Sequence, residues 1–517
     1  MNLKNRFINT FIFGIILGLA THMYRLTNWM LCEDSLNYLD TISPSWTISV
    51  GRYWLPKVEY IRGTYELSWL IGLMCIIFLA LSSGIIAEMF KVDGTIRRLL
   101  LAWIVVCNPV VTSTFAYMYT ADGYYFGFML ICLYAYLLDR EDKKRFYIPA
   151  TICFAVSMAF YQGFITAAIV LIFIRLILML LDEKYKIKDV LYKGLGYLIP
   201  AGIGCGIYYI GLKIAWKITD HSLAAYMGLG EKPKQGLIRY WYELKECYID
   251  FARVFLVRWK LTGYNVTNVI MFLIVAIIII TLITKRKLWK HPSRWLLVIL
   301  LCGLLPVATH IFEFLSESVS YTTTIMDYGT MMVFLMPVVL IGQLELGDGS
   351  FSELIKIDYL KKHIFWVITA VLMLYISFNF TVIANKAYYN MFMANKNCET
   401  LVNRIETRME MIDGYDSEME VMMVGSCYQM PEYVTNAPMM SGVVSNIFIT
   451  GENGYVNYMN KMLSTGYGKA SLDKEKEIAQ TDEYKEMGYW PSMSSVKIID
   501  DVMVIKLSDN DEDLLYE

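Results

Sequence analysis

Residues 265–287 read NVTNVIMFLIVAIIIITLITKRK. The first 20 of them carry no charge, and the run ends on Lys285-Arg286-Lys287. About 20 apolar residues are what an α-helix needs to cross the hydrocarbon core of a bilayer. Basic residues gather at the cytoplasmic ends of such helices. This stretch therefore predicts a spanning helix and the side on which it ends. Working outward, further apolar runs lie at 7–24, 67–90, 99–117, 123–138, 146–160, 164–181, 190–212, 295–312, 329–346 and 363–383. Together they predict about eleven spans. The first is expected to be retained, since no small-residue cleavage site follows it.

Composition agrees. The chain is 56% hydrophobic and 18% charged, against about 45–50% and about 25% in soluble proteins. With a net charge of -2, no basic face points to nucleic acid. The ten cysteines form no CxxC or Cys/His pattern, which argues against a zinc site or a disulfide scaffold. No Gly-rich loop supports a soluble nucleotide donor.

Orientation follows from the connections. Those on the N-terminal side (1–6, 91–98, 139–145, 182–189, 285–294 and 345–362) hold 20 Lys and Arg in 57 residues, whereas those on the other side hold 13 in 118. The first side is expected to be cytoplasmic. The N-terminus then lies inside and the C-terminus outside. The expected fold is mainly α, a polytopic helical membrane protein. Residues 1–383 form the membrane module, with large outer loops at 25–66 and 213–264. Residues 384–517 form a small extracytoplasmic α/β domain. Strand-like runs stand there at Val421–Gly425, Val444–Thr450 and Val496–Leu507, the last interrupted by Asp500-Asp501. Helices are expected at 386–411 and 453–464.

Candidate chemistry concentrates on the outer side. Glu33-Asp34, just past the first span, suits a general base or a ligand for a divalent cation. The plain alternative is a solvated loop or an N-cap by Asp34. Arg52 suits phosphate as a forked cation, or snorkels at the interface. Pro44–Trp54 around it mixes Trp and Ile as an interfacial helix would. Asp122 is the only charge between two spans, a costly position that marks a site unless it faces water in a turn before Gly123. Tyr161 and Gln162, at a span junction, suit sugar hydroxyls or the loose backbone of a helix break. Glu313, Glu317 and Asp327 give the next outer loop an acidic bias, by default a solvated face. Arg175 is expected to snorkel inward.

Three elements in this order resemble a known family. They are Glu33-Asp34 followed by Ser49-Val50-Gly51-Arg52-Tyr53-Trp54, Asn108-Pro109 followed by Asp122, and Ala159-Phe160-Tyr161-Gln162-Gly163-Phe164. The stretch from Tyr489 to Leu507 adds to the likeness. The set resembles the glucosyl transferase II family, bacterial polytopic membrane proteins linked to O-antigen glucosylation. The resemblance implies a GT-C type fold and an inverting hexosyltransferase, with glucose as the hexose. It also implies a polyprenyl-phosphate-linked sugar donor, a surface glycan acceptor and a bacterial cytoplasmic membrane. The family's essential first-loop acid corresponds to the Glu33-Asp34 pair. Asp-Asp is the pattern expected there, so which of the two acts stays open. Arg52 would receive the phosphate, while Asp122, Tyr161 and Gln162 would position sugars. A divalent cation, magnesium or manganese, would sit on Glu33 and Asp34 if one is used. Two other classes compete: a flippase or transporter of a lipid-linked sugar, which calls for charges lining a pathway, and a non-catalytic envelope-assembly protein.

Overall fold

In the computed structural model, residues 3–38, 44–63, 65–140, 143–224, 238–257, 261–262, 265–315, 323–344, 363–425, 427, 436–444, 446–449 and 451–508 are described. The chain divides into two compact units. The first holds residues 1–27, 43–385 and 436–441; the second holds 28–42, 386–435 and 442–517.

The first unit is helical. Its helices begin with α1 (Leu3–Thr27), α2 (Pro44–Ser49), α3 (Leu55–Ile61), α4 (Ser68–Met89), α5 (Thr95–Cys107) and α6 (Pro109–Ala116). They continue with α7 (Met118–Asp139), α8 (Lys143–Phe160), α9 (Ile165–Leu181), α10 (Ile187–Thr219), α11 (Ile238–Leu256) and α12 (Asn265–Lys285). Among the described residues, 8 helices are long and apolar enough to cross a membrane. Arg145–Phe160, Pro292–Gly303 and Tyr328–Leu344 are apolar but shorter. The expected eleven runs thus divide into eight of spanning length and three short ones. The run at 295–312 breaks after Gly303, and the next helix begins Leu305-Pro306. The Tyr328–Leu344 stretch breaks at Phe334, close before Pro337. Proline lacks the N–H that would continue a helix.

Small residues let these helices approach closely, as they must where lipid offers no hydrophobic drive between them. Gly14 and Gly18 of α1 form such a face. A Cβ on Gly14 would meet Ala80 at 2.9 Å, and one on Gly18 would meet Ile76 at 2.8 Å and Val106 at 2.9 Å. Farther along α1, Arg25 is wholly buried. Its Nε donates to the Phe115 carbonyl at 2.9 Å, and its Nη2 lies 3.2 Å from Glu66 Oε1. By contrast, α10 turns Leu198, Ile203 and Ile210 outward, the apolar exterior of a helix built for lipid.

Asn108-Pro109 divides the third span into α5 and α6. Pro109 takes the first helical position, where a missing N–H costs nothing. The Asn108 side chain serves both ends. Its Oδ1 accepts from Val110 N at 3.1 Å and Val111 N at 3.3 Å, while its Nδ2 donates to the Ile104 and Val105 carbonyls at 2.9 and 3.1 Å. A break inside a bilayer survives only when its loose backbone groups are satisfied in this way.

The second unit contains a four-stranded sheet ordered β2-β1-β4-β3. β1 (Glu420–Val424) runs parallel to β2 (Gly468–Lys469) and to β4 (Val502–Lys506), and β3 (Val496–Ile499) pairs antiparallel with β4. Both faces are covered. Val421, Met423, Met503 and Ile505 pack with Leu401, Ile405 and Met459 on one side. Met422, Val424, Val502 and Val504 pack with Ile478 and Tyr484 on the other. Burial on both faces explains why these strands read as continuous apolar runs. The Val421–Gly425 expectation corresponds to β1, and Val496–Leu507 contains β3 and β4. Asp500 and Asp501, both at positive φ (50° and 62°), make the turn between them. The expected strand at 444–450 does not form among its described residues, and positions 445 and 450 lie outside them. The 386–411 segment is the end of one long helix, Ile364–Glu410, and the later helix is Gly451–Met462.

Candidate functional site

The site is assembled where α4 and α7 begin and α8 ends. Residues 44–54 do not form one helix. α2 stops at Ser49, and the chain turns at Gly51, whose φ is +85°. Only glycine takes that conformation without penalty. It also has no spare room: a Cβ there would collide with the Tyr208 hydroxyl and the Gln162 amide. The turn is tied from two sides. Tyr208 donates to the Gly51 carbonyl at 3.1 Å, and Gln162 Nε2 donates to the Val50 carbonyl at 3.1 Å and to the Tyr208 hydroxyl at 2.8 Å.

This turn aims Arg52. Its Nη1 donates to the Tyr124 hydroxyl at 2.8 Å, and its guanidinium carbon stands 4.9 Å above the Tyr161 ring. Tyr161 in turn stacks on Tyr124, centroids 4.9 Å apart. A guanidinium on an aromatic face is held in plane by cation–π attraction. Arg52 is thus half-buried and held by two tyrosines. Tyr161 supplies the floor of the arrangement and Gln162 its anchor.

Asp122 differs from its expected setting. It is not in a loop turn but in the second turn of α7, fully buried. Burial of a carboxylate demands a partner, and Arg62 supplies it: Nε donates to Oδ2 at 2.8 Å. The same guanidinium also donates to the Tyr119 and Tyr65 carbonyls. Arg62 is only 5% exposed on its side chain, so both members of the pair are out of water.

One helical turn before Arg62, Glu59 is buried to 1% exposure. Neither carboxylate oxygen has a hydrogen-bond partner among the described residues. Burial pushes its carboxyl up to about 8; Arg62 pulls the other way, and Asp122 adds to the rise. Two acids thus face one guanidinium. Sequence reasoning missed Glu59, Arg62 and Tyr208. The available signal was Asp122 itself, which needs a cation, and the first loop offers few.

Glu33 and Asp34 open a 3-10 turn, Glu33–Tyr38, and both are exposed. They belong to the second unit; the cluster around Arg52 and Arg62 belongs to the first. Glu313 and Asp327, whose default reading is a solvated face, are both buried, with His310 Nε2 3.7 Å from Asp327 Oδ1. Glu317 lies outside the described residues. Arg175 does not simply snorkel; its Nε pairs with Asp139 at 2.6 Å. Among the described residues, no three His, Cys, Asp or Glu side chains converge as metal ligands would.

A family model described as glucosyl transferase GtrII matches residues 23–340. That interval contains the Gly51 turn, both Arg–aromatic and Arg–Asp pairs, and Glu33-Asp34. No curated protein and no solved structure matches the chain.

Proposed function

The chain belongs to the glucosyl transferase GtrII family, and on that premise we propose that it moves a glucosyl residue from a polyprenyl-phosphate carrier to a cell-surface glycan at the outer face of the bacterial cytoplasmic membrane. The family carries glucosyl transfer as the class of activity. The carrier, the acceptor and the face are the present reading. The observation behind it is Arg52, stacked on Tyr161 and bonded to Tyr124 at the end of the helices away from the basic connections. A carrier with its tail in lipid keeps its phosphate at the interface, where a rigid guanidinium fork is the matching group.

In this reading the acceptor hydroxyl oxygen attacks the anomeric carbon opposite the phosphate. The bond from that carbon to the phosphate oxygen breaks, and the polyprenyl phosphate leaves with the electron pair. The hydroxyl proton passes to Asp34 or Glu33, and configuration inverts. Arg52 meets the charge that develops on the departing phosphate. Tyr161 keeps the guanidinium in place, and Gln162 holds the turn that aims Arg52. Asp122 acts at one remove, by fixing Arg62. A divalent cation on Glu33 and Asp34 would share the work of Arg52.

The test uses purified protein with a synthetic polyprenyl-phosphate glucose and the surface glycan. Glycan labelling with release of polyprenyl phosphate is expected from the wild type and not from the Glu33→Gln/Asp34→Asn double variant. Full activity in the double variant removes the base assignment. A donor that crosses the bilayer uncleaved makes the protein a flippase and ends the transfer reading.

A further inference from the structure

The opposite end of the first unit contains a cavity of about 640 Å³, within the range of small-molecule sites. Its wall brings together Lys91, Arg97, Arg175 and Lys184 against two acids, Asp93 and Asp182. These come from the α4–α5 connection, the start of α5, the end of α9 and the α9–α10 connection, so the pocket sits where spans end. Apolar side chains, Phe90, Leu178 and Trp366 among them, complete the lining.

The acids do not balance the cations. Asp93 is engaged from outside the pocket by Arg6, whose Nε and Nη2 donate to it at 3.1 and 2.8 Å. Asp139, the carboxylate that meets Arg175, is shared with Lys193 at 3.4 Å. Because Arg175 pairs through Nε, its two terminal nitrogens form no hydrogen bond among the described residues. Lys91 and Lys184 are exposed and make no ion pair among the described residues. The result is a forked donor and two exposed ammonium groups around one space, with an apolar wall beside them. Basic pockets between spanning helices hold phosphate headgroups, and a guanidinium fork fits phosphate geometry.

We infer that this cavity binds an anionic phosphate group, either the headgroup of an anionic phospholipid or free phosphate, on the side of the protein away from the proposed transfer site. The inference does not depend on the transferase reading.

The test takes full-length protein, delipidated in detergent, and follows thermal unfolding. It is titrated with short-chain phosphatidylglycerol, with phosphatidylcholine of the same chain length, and with inorganic phosphate. Saturable stabilisation by phosphatidylglycerol at concentrations where phosphatidylcholine does nothing is expected. The Lys91→Gln/Lys184→Gln variant should weaken it by about tenfold or more. Both positions lie in turns outside the helices, so the variant keeps its fold. Arg175→Lys, which keeps a charge for Asp139 but loses the fork, should also weaken it. Stabilisation by inorganic phosphate with the same sensitivity upholds the site and names free phosphate as the source. Stabilisation by the anionic lipid alone upholds it and names the headgroup. An equal response to both lipids, no response to any ligand, or an undiminished response in the double variant overturns it.

Discussion

Arg62 Nε and Asp122 Oδ2 lie 2.8 Å apart with the carboxylate wholly buried and the guanidinium nearly so. Removing one member of such a pair strands the other charge, which costs about 3–5 kcal/mol. Asp122→Asn is therefore expected to lower the thermal midpoint of the detergent-purified protein sharply. Arg62→Met/Asp122→Leu, which removes both charges, should recover most of the loss. A double variant no better than the single one would show that the pair's charges are not what matters.

Glu59 gives the fold a pH dependence of definite sign. Burial pushes its carboxyl up to about 8 in the folded protein, above the ordinary carboxylate range. Folding therefore retains a proton that the unfolded chain releases, and stability falls as pH rises from about 4.5 to 8. Glu59→Gln should flatten this slope. At pH 8 to 9 the variant should be the more stable protein, by an amount on the order of a few kcal/mol. Melting curves across pH 5 to 9 for both proteins decide it.

Gly51→Ala forces a side chain into a left-handed turn already filled by Tyr208 and Gln162. The expected local strain is about 1–3 kcal/mol, and it falls on the residue next to Arg52. Glucosyl transfer should drop by about tenfold or more while the protein still inserts. The check is the transfer rate normalised to folded protein.

Arg52→Lys keeps the charge and loses the fork and the plane that lies on Tyr161. The two residues are not interchangeable at a stacked site. Transfer should fall by on the order of tenfold, with little change in thermal midpoint, because one partly exposed bond to Tyr124 is lost. Activity equal to wild type would show that charge alone is used.

In the second unit, Asp500 and Asp501 both sit at positive φ in the two-residue turn between β3 and β4. Asn-Gly is the preferred sequence for that turn. Asp500→Asn/Asp501→Gly should stabilise the hairpin by about 0.5–1 kcal/mol, read as slower proteolysis of the C-terminal unit in the full-length protein.

What the sequence made legible followed from the solvent it is written for. A bilayer demands long uncharged runs with basic ends, so the helical stretches could be found from composition and spacing. Asp122 stood out for the same reason, as a charge that lipid does not tolerate alone. Its partner did not, since Arg62 looks like any loop cation until α3 folds against α7. Glu59 was invisible because a lone acid in a short loop helix is ordinary; only burial makes it unusual. The helix breaks near Gly303 and Phe334 were lost inside runs that stay apolar throughout. The 444–450 run shows the reverse error, for local alternation cannot reveal whether an unpaired strand edge awaits it.

Arg25 carries a consequence for how the chain is made. Its buried partners, Glu66 and the Phe115 carbonyl, are encoded 41 and 90 residues later. Gly14 and Gly18 likewise wait for Ala80, Ile76 and Val106. During synthesis the first helix therefore reaches the insertion machinery as an incomplete piece. It bears at its outer end a guanidinium whose partners are not yet made, and a groove with nothing to fill it. Nascent chains stalled before α6 should remain bound to that machinery, and chains stalled after it should be released. The birth order of the helices is in this sense inscribed in one arginine.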